Sequence, residues 1–214
     1  MKRFSVLAVG ALLAGVVAFG ASPAQAAGPT CNGTYSGATF GALVVPANTI
    51  CVIRDTTVNG SVQVGQGANF ETCNSKIAGA LVANKAYVLL DHNTTVGGAI
   101  DIVPGVGALP PGGAQCSERE GLAYTGMICP SKIGGNLVVR NAPYDTRPFE
   151  IGECGPVKIV GQVSIHDNQV PVSIEDSTIG GNLTCYNNNP PAVQHDNTVA
   201  GHIVGCLEGT MVME

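Results

Sequence analysis

Four histidines, fifteen acidic residues and eight cysteines are the groups in this 214-residue chain whose types could do chemistry. Three histidines stand beside an acid and an amide, in Asp91-His92-Asn93, His166-Asp167-Asn168 and His195-Asp196-Asn197. Such clusters could move protons or ligate a metal. Their registers place them apart. His92 and His195 lie six residues before a recurring glycine, whereas His166 lies five after another. Turn polarity is the reading for all three. His202 stands where other copies of the same phrase have Ser61, Ala80, Ala99, Asn136, Gln162 and Asn182, which reads as a solvent-facing strand position. Asp176 and Asp196 share a column, but calcium wants several oxygen ligands. Polysaccharide-cleaving enzymes need clustered carboxylates, or Arg/Lys with Asp. Here Arg54, Arg119, Arg140 and Arg147 are scattered, and there is no Trp. No G-x-S-x-G, H-E-x-x-H or P-loop occurs. The sequence assigns no catalytic residue, no cofactor and no metal.

The cysteines read differently. Cys31, Cys51, Cys73, Cys116, Cys129, Cys154, Cys185 and Cys206 make an even set with no close C-x-x-C pair. That pattern suits disulfides in an exported chain better than a zinc site. Export is also what the N-terminus predicts. Lys2 and Arg3 precede an apolar run over 6–19, and Ala24-Gln25-Ala26 fits a small-x-small cleavage site. No later apolar run reaches spanning length, and the chain ends without a hydrophobic anchor. An extracellular, released product is expected. The net charge of −5 argues against nucleic acid as a partner.

A repeat organises these groups. Thr56-Thr57-Val58-Asn59-Gly60-Ser61-Val62 returns as Ser75 to Leu81, Thr94 to Ile100, Ser131 to Leu137, Val157 to Val163, Ser177 to Leu183 and Asn197 to Ile203. The shared glycines are Gly60, Gly79, Gly98, Gly135, Gly161, Gly181 and Gly201, at steps of 19, 19, 37, 26, 20 and 20. The step of 37 predicts a degenerate copy between Gly98 and Gly135, and the step of 26 an insertion around Pro143 to Pro148. Apolar residues two before and two after each glycine alternate with small or polar ones, the period of a strand with one buried face. With 29 Gly and 12% charged residues, long amphipathic helices are excluded.

The fold class that follows is all-β: a single-stranded parallel β-helix, read as right-handed, with about 19–20 residues per coil, two strands to a coil and disulfides as staples. Two columns support it. Val62, Leu81, Ile100, Leu137, Val163, Leu183 and Ile203 form an aliphatic stack. Asp55, Asn74, Asn93, Pro130, Pro156, Asp176 and Asp196 supply turn chemistry. A second strand per coil is visible in Tyr87-Val88-Leu89-Leu90 and around Val172. Thr57, Thr95, Thr178 and Thr198 share a column that Lys76, Lys132 and Lys158 interrupt. Register pairs Cys185 with Cys206 and Cys129 with Cys154. Cys31 with Cys51 would tie down an N-terminal cap, and Cys73 with Cys116 is the remainder. The organisation expected is a signal peptide over 1–26, a cap over 27–50, a solenoid over 51–206 with a loop insertion at 104–128, and a tail over 207–214.

The run Thr57-Val58-Asn59-Gly60-Ser61-Val62 and the segment Gly180-Gly181-Asn182-Leu183-Thr184-Cys185-Tyr186-Asn187-Asn188-Asn189-Pro190-Pro191 resemble a group of exported actinobacterial β-solenoid proteins with T-V-x-G-N-V repeats. The repeat is also similar to that of bactofilins, which polymerise end to end. The resemblance spans most of Cys31 to Cys206. It implies the fold and an export route, and it supplies no catalytic residues. The function expected is a secreted, non-catalytic rod acting in surface structure, adhesion or assembly, with self-association or a cell-surface glycan or protein as partner. The alternative is a carbohydrate-active enzyme or glycan-binding protein on the same scaffold, with the 104–128 loop as a candidate contact.

Overall fold

The computed structural model describes residues 28–91, 93–105, 124–145 and 147–209. The expected signal peptide, His92, Cys116, most of the expected 104–128 loop insertion and the end of the expected tail lie outside them. The described residues form 24 strands and no helix. Every strand pairs in parallel with the equivalent strand one turn away, as in Ile53 with Thr72 and Leu81 with Ile100. The result is a β-solenoid of eight turns with three faces.

Face 1 opens each turn, with strands such as Ile50–Arg54, Phe149–Ile151 and Val172–Glu175. Face 2 follows, in strands of two or three residues such as Thr57–Val58 and Ser131–Ile133. Face 3 closes the turn, for example Val62–Val64 and Ile100–Pro104. Three strands per turn replace the two expected. The strand Leu81–Asp91 runs from face 3 of one turn into face 1 of the next, so those faces join into a 16-stranded sheet beside the 8-stranded sheet of face 2.

Alternation sorts the side chains. On face 3, Leu43, Val62, Leu81, Ile100, Leu137, Val163 and Leu183 point inward and are at most 1% exposed. On face 2 the inward column runs Val58, Ile77, Val96, Ile133, Ile159 and Ile179. Face 1 adds Phe70, Val88, Ile128, Phe149, Ile151 and Ile174. Each turn therefore gains a dry core only by lying on its neighbours.

The corners explain the sequence's polar residues. Asp55, Asn74, Asn93, Asp176 and Asp196 all have positive φ, between 46° and 62°. Their short side chains tolerate this left-handed backbone. Asn48, Asn141, Asp167 and Asn187 do the same at another corner. Side chains then bond across turns. The Thr56 N–H donates to Ser75 Oγ, and the Ser177 N–H to Asn197 Oδ1. The Gln162 N–H donates to Asn136 Oδ1, and the His202 N–H to Asn182 Oδ1. At Gly135 an added Cβ would fall 2.7 Å from the Ala99 nitrogen, which is why the repeat keeps a glycine there.

Lys85 breaks this rule. It alone among the described non-glycine residues with positive φ is neither Asn nor Asp, at φ 48°. A left-handed conformation costs an ordinary residue about 1 kcal/mol. Lys85→Asn is expected to raise the melting temperature by about 1–3 °C in thermal unfolding followed by circular dichroism. A lowered value would contradict the strain.

Several expectations are corrected. The repeated phrase is not one strand but two short ones around a corner, with Val58 on face 2 and Val62 on face 3. No extra turn separates Gly98 from Gly135. The Gly135 N–H donates to the Gly98 carbonyl at 3.0 Å and Ile100 pairs with Leu137, so the two belong to consecutive turns and the long step is an insertion. The extra residues of the step of 26 are divided between the connections 141–148 and 152–157. The segment expected as a cap already forms the first turn, with strands Gly33–Ser36, Thr39–Phe40 and Leu43–Val45. At the far end, Leu207–Glu208 pairs with Val193–Gln194 and adds one more strand to face 1.

Three disulfides each join a turn to the next: Cys31–Cys51, Cys129–Cys154 and Cys185–Cys206, with Cα separations of 5.5, 5.1 and 4.9 Å. Cys73 is disulfide-bonded as well. The pairing of Cys73 with Cys116 lies outside the described residues. No helix of the described residues is long and apolar enough to cross a membrane.

Candidate functional site

The histidines occupy different corners. His166 ends a face 3 strand and stacks on Tyr186 one turn on, with ring centroids 4.6 Å apart and planes 5° from parallel. Its Nδ1 lies 2.8 Å from Asp167 Oδ2. Asn187 donates to the other oxygen of Asp167 at 3.2 Å. The bond to His166, then that from Asn187, holds the Asp167 carboxyl below the usual aspartate range. His195 ends a face 1 strand, 3.0 Å from Asp196 Oδ2. His202 is exposed. Asp176 and Asp196 both sit at αL corner positions of neighbouring turns. Among the described residues, no group of three or more His, Cys, Asp or Glu is placed to hold a metal ion.

Glu71 and Asp91 are buried on adjacent strands of face 1. Glu71 and Glu150 share the outward column of face 1 but are separated by Leu89 and Met127. Three strand spacings put them about 14 Å apart, beyond the roughly 5–9.5 Å used in glycoside hydrolysis. Asp101 is held by a two-pronged bond from Arg140, both contacts at 2.9 Å.

That outward column carries a feature the sequence reading missed. Tyr87, Leu89, Tyr124, Met127 and Cys129 form a second buried cluster outside the main core, with Cys154 packed against it. Burial, then the charges of Glu71 and Asp91 with Tyr124, pushes the Tyr87 phenol well above its usual range, against an opposing pull from Arg147. The signal was the unbroken run Tyr87 to Leu90. A strand apolar on both sides is covered on both sides.

Face 2 presents the most regular polar surface. Its outward column runs Thr39, Thr57, Lys76, Thr95, Lys132, Lys158, Thr178 and Thr198 in strict register. Two shallow depressions of about 330 and 270 Å³ lie on either side of it, and Thr95, Lys132 and Lys158 line both.

The last turn is the other distinctive surface. Ile203 and Val204 of face 3 are 44% and 56% exposed, and Leu207 of face 1 is 52% exposed. The equivalents of Ile203 in the earlier turns are fully buried. Inward on face 1 the aliphatic pattern stops at Gln194, which is buried between Ile174 and Glu208 and bonds the Glu208 carboxylate and Asn197. At the other end, Pro29 and Cys31 bond Val44 through the backbone and cover the face 3 edge of the first turn.

No family model, no curated protein and no solved structure matches this chain.

Proposed function

We propose that this chain is an extracellular, non-catalytic β-solenoid rod whose role is assembly, with further copies adding at its open last turn. The observation that carries this reading is the apolar edge of Ile203, Val204 and Leu207. A parallel stack gains core from each added turn, and an unpaired strand edge with exposed aliphatics is a template for pairing. The similarity of the repeat to that of bactofilins supports the same reading. Export follows from the apolar N-terminal run and fits the three disulfides.

Light scattering after size exclusion, on oxidised protein across a concentration series, tests it. Dimers or longer species should grow with concentration. A Val204→Lys, Leu207→Lys double variant should remain monomeric with an unchanged melting temperature. A wild-type chain that stays monomeric up to high micromolar concentration would refute assembly through this end.

A further inference from the structure

We propose that face 2 carries a binding site for the anionic group of an acidic glycan, centred on Lys132 and Lys158. The first observation is electrostatic. Lys132 and Lys158 are direct register partners on adjacent strands, so their backbones lie about 4.8 Å apart. Like charges set side by side on a sheet destabilise it. No carboxylate among the described residues lies within ion-pair distance of either, or of Lys76 two strands before Lys132. This is a local concentration of positive charge on a chain whose net charge is −5.

The second observation is independent of charge. Lys132 and Lys158 both line each of the two depressions beside their column, so the pair stands between two concave stretches of this face. At their two turns the corner column also changes from Asn/Asp to Pro130 and Pro156, which line the larger depression. The Asn/Asp ladder is therefore broken at the two turns that carry Lys132 and Lys158.

The surroundings indicate the ligand. Thr95 and Thr178 flank the lysine pair one strand to either side, and Asn93 borders the depression. Hydroxyl and amide groups spaced along an open, flat face suit the hydroxyls of an extended sugar chain lying along the axis. The lysines supply point charges for its carboxylate or phosphate. Nucleic acid would need a longer basic track than three lysines.

The test is a titration followed by amide NMR shifts, with a galacturonic acid oligomer, an uncharged glucose oligomer of equal length and inorganic phosphate as probes. The acidic oligomer should give saturable shifts confined to residues near 93–95, 130–132, 156–158 and 178, weakening as salt is raised. Lys132→Gln with Lys158→Gln should weaken binding at least about tenfold, a change of about 1.4 kcal/mol. Ser131→Ala, whose hydroxyl lies on the inner side of the sheet, and Lys85→Asn, on another corner, should both leave it unchanged. Equal binding of the uncharged oligomer would overturn the site, as would unchanged affinity in the double lysine variant or an equal loss in the Lys85 variant. Phosphate alone binding as tightly as the acidic oligomer would overturn the glycan assignment. Monomeric protein binds as well as any assembly here, so a failed assembly test leaves this outcome readable.

Discussion

An Asn168→Ala variant is expected to lose about 2–6 kcal/mol of stability, one of the two largest effects of any single change considered for this chain. Asn168 is fully buried at the corner after face 3 and spans three turns. Its Oδ1 accepts from the Ala142 N–H at 3.1 Å. Its Nδ2 donates to the Val139 carbonyl at 3.0 Å and to Asn188 Oδ1 at 2.9 Å. Alanine removes all three bonds and leaves the buried backbone groups without this partner, at about 1–3 kcal/mol for each group orphaned. Asn182 offers the control. It caps the His202 N–H in the same manner but is exposed, so water replaces it. Asn182→Ala should cost about 0.5–1 kcal/mol. Denaturant unfolding of both variants under oxidising conditions decides the matter. Equal losses would mean that the Asn168 ladder carries no more than a surface cap.

The second large effect concerns position along the stack. Ile100 lies between Leu81 and Leu137 and is fully buried. Ile100→Ala is expected to cost about 2–5 kcal/mol, the lost transfer energy plus the cavity left behind. Ile203 occupies the same column at the end of the stack, with a neighbour on one side and 44% of its surface exposed. Ile203→Ala should cost less than about 1 kcal/mol in dilute solution. In a structure whose stability is a chain of nearest-neighbour contacts, a central lesion weakens two interfaces and a terminal lesion one. The comparison is made by the shift in urea midpoint at low protein concentration. If both variants lose the same amount, Ile203 is buried in solution and the last turn is not open.

Much of this architecture was legible because its columns are regular. The inward residues of face 3, from Val62 to Leu183, recur at one register and turn up buried. The Asn and Asp five before each glycine turn up with positive φ. What escaped has physical reasons. Val58 and Val62 both point inward although a corner lies between them, because the corner keeps the parity of the alternation. Period alone therefore reads two strands as one. Strands of two residues, as on most of face 2, are too short to show any alternation. The long step after Gly98 equals two turns in length, and length cannot separate a turn from an insertion. The first turn hid because it has one residue fewer between Phe40 and Leu43 than between Val58 and Val62. The lysine column was visible as residue types. That no carboxylate among the described residues reaches Lys132 or Lys158 was not, since it depends on where the chain's acids come to lie.

The disulfides have a mechanical consequence. A solenoid pulled from its ends yields by peeling, one turn at a time, from whichever terminus is weaker. Here the first bridge locks the first turn to the second and the last bridge locks the seventh to the eighth. The bridges enclose 20, 25 and 21 residues of sequence. Each therefore withholds roughly 70 Å or more of contour length, at about 3.4 Å per extended residue. Under tension both ends hold as closed loops, and the load passes to the interior, where the turns are longest and the side chains largest. Such a rod would not peel from its ends until its disulfides were reduced, which is a property of a tether rather than of a spring.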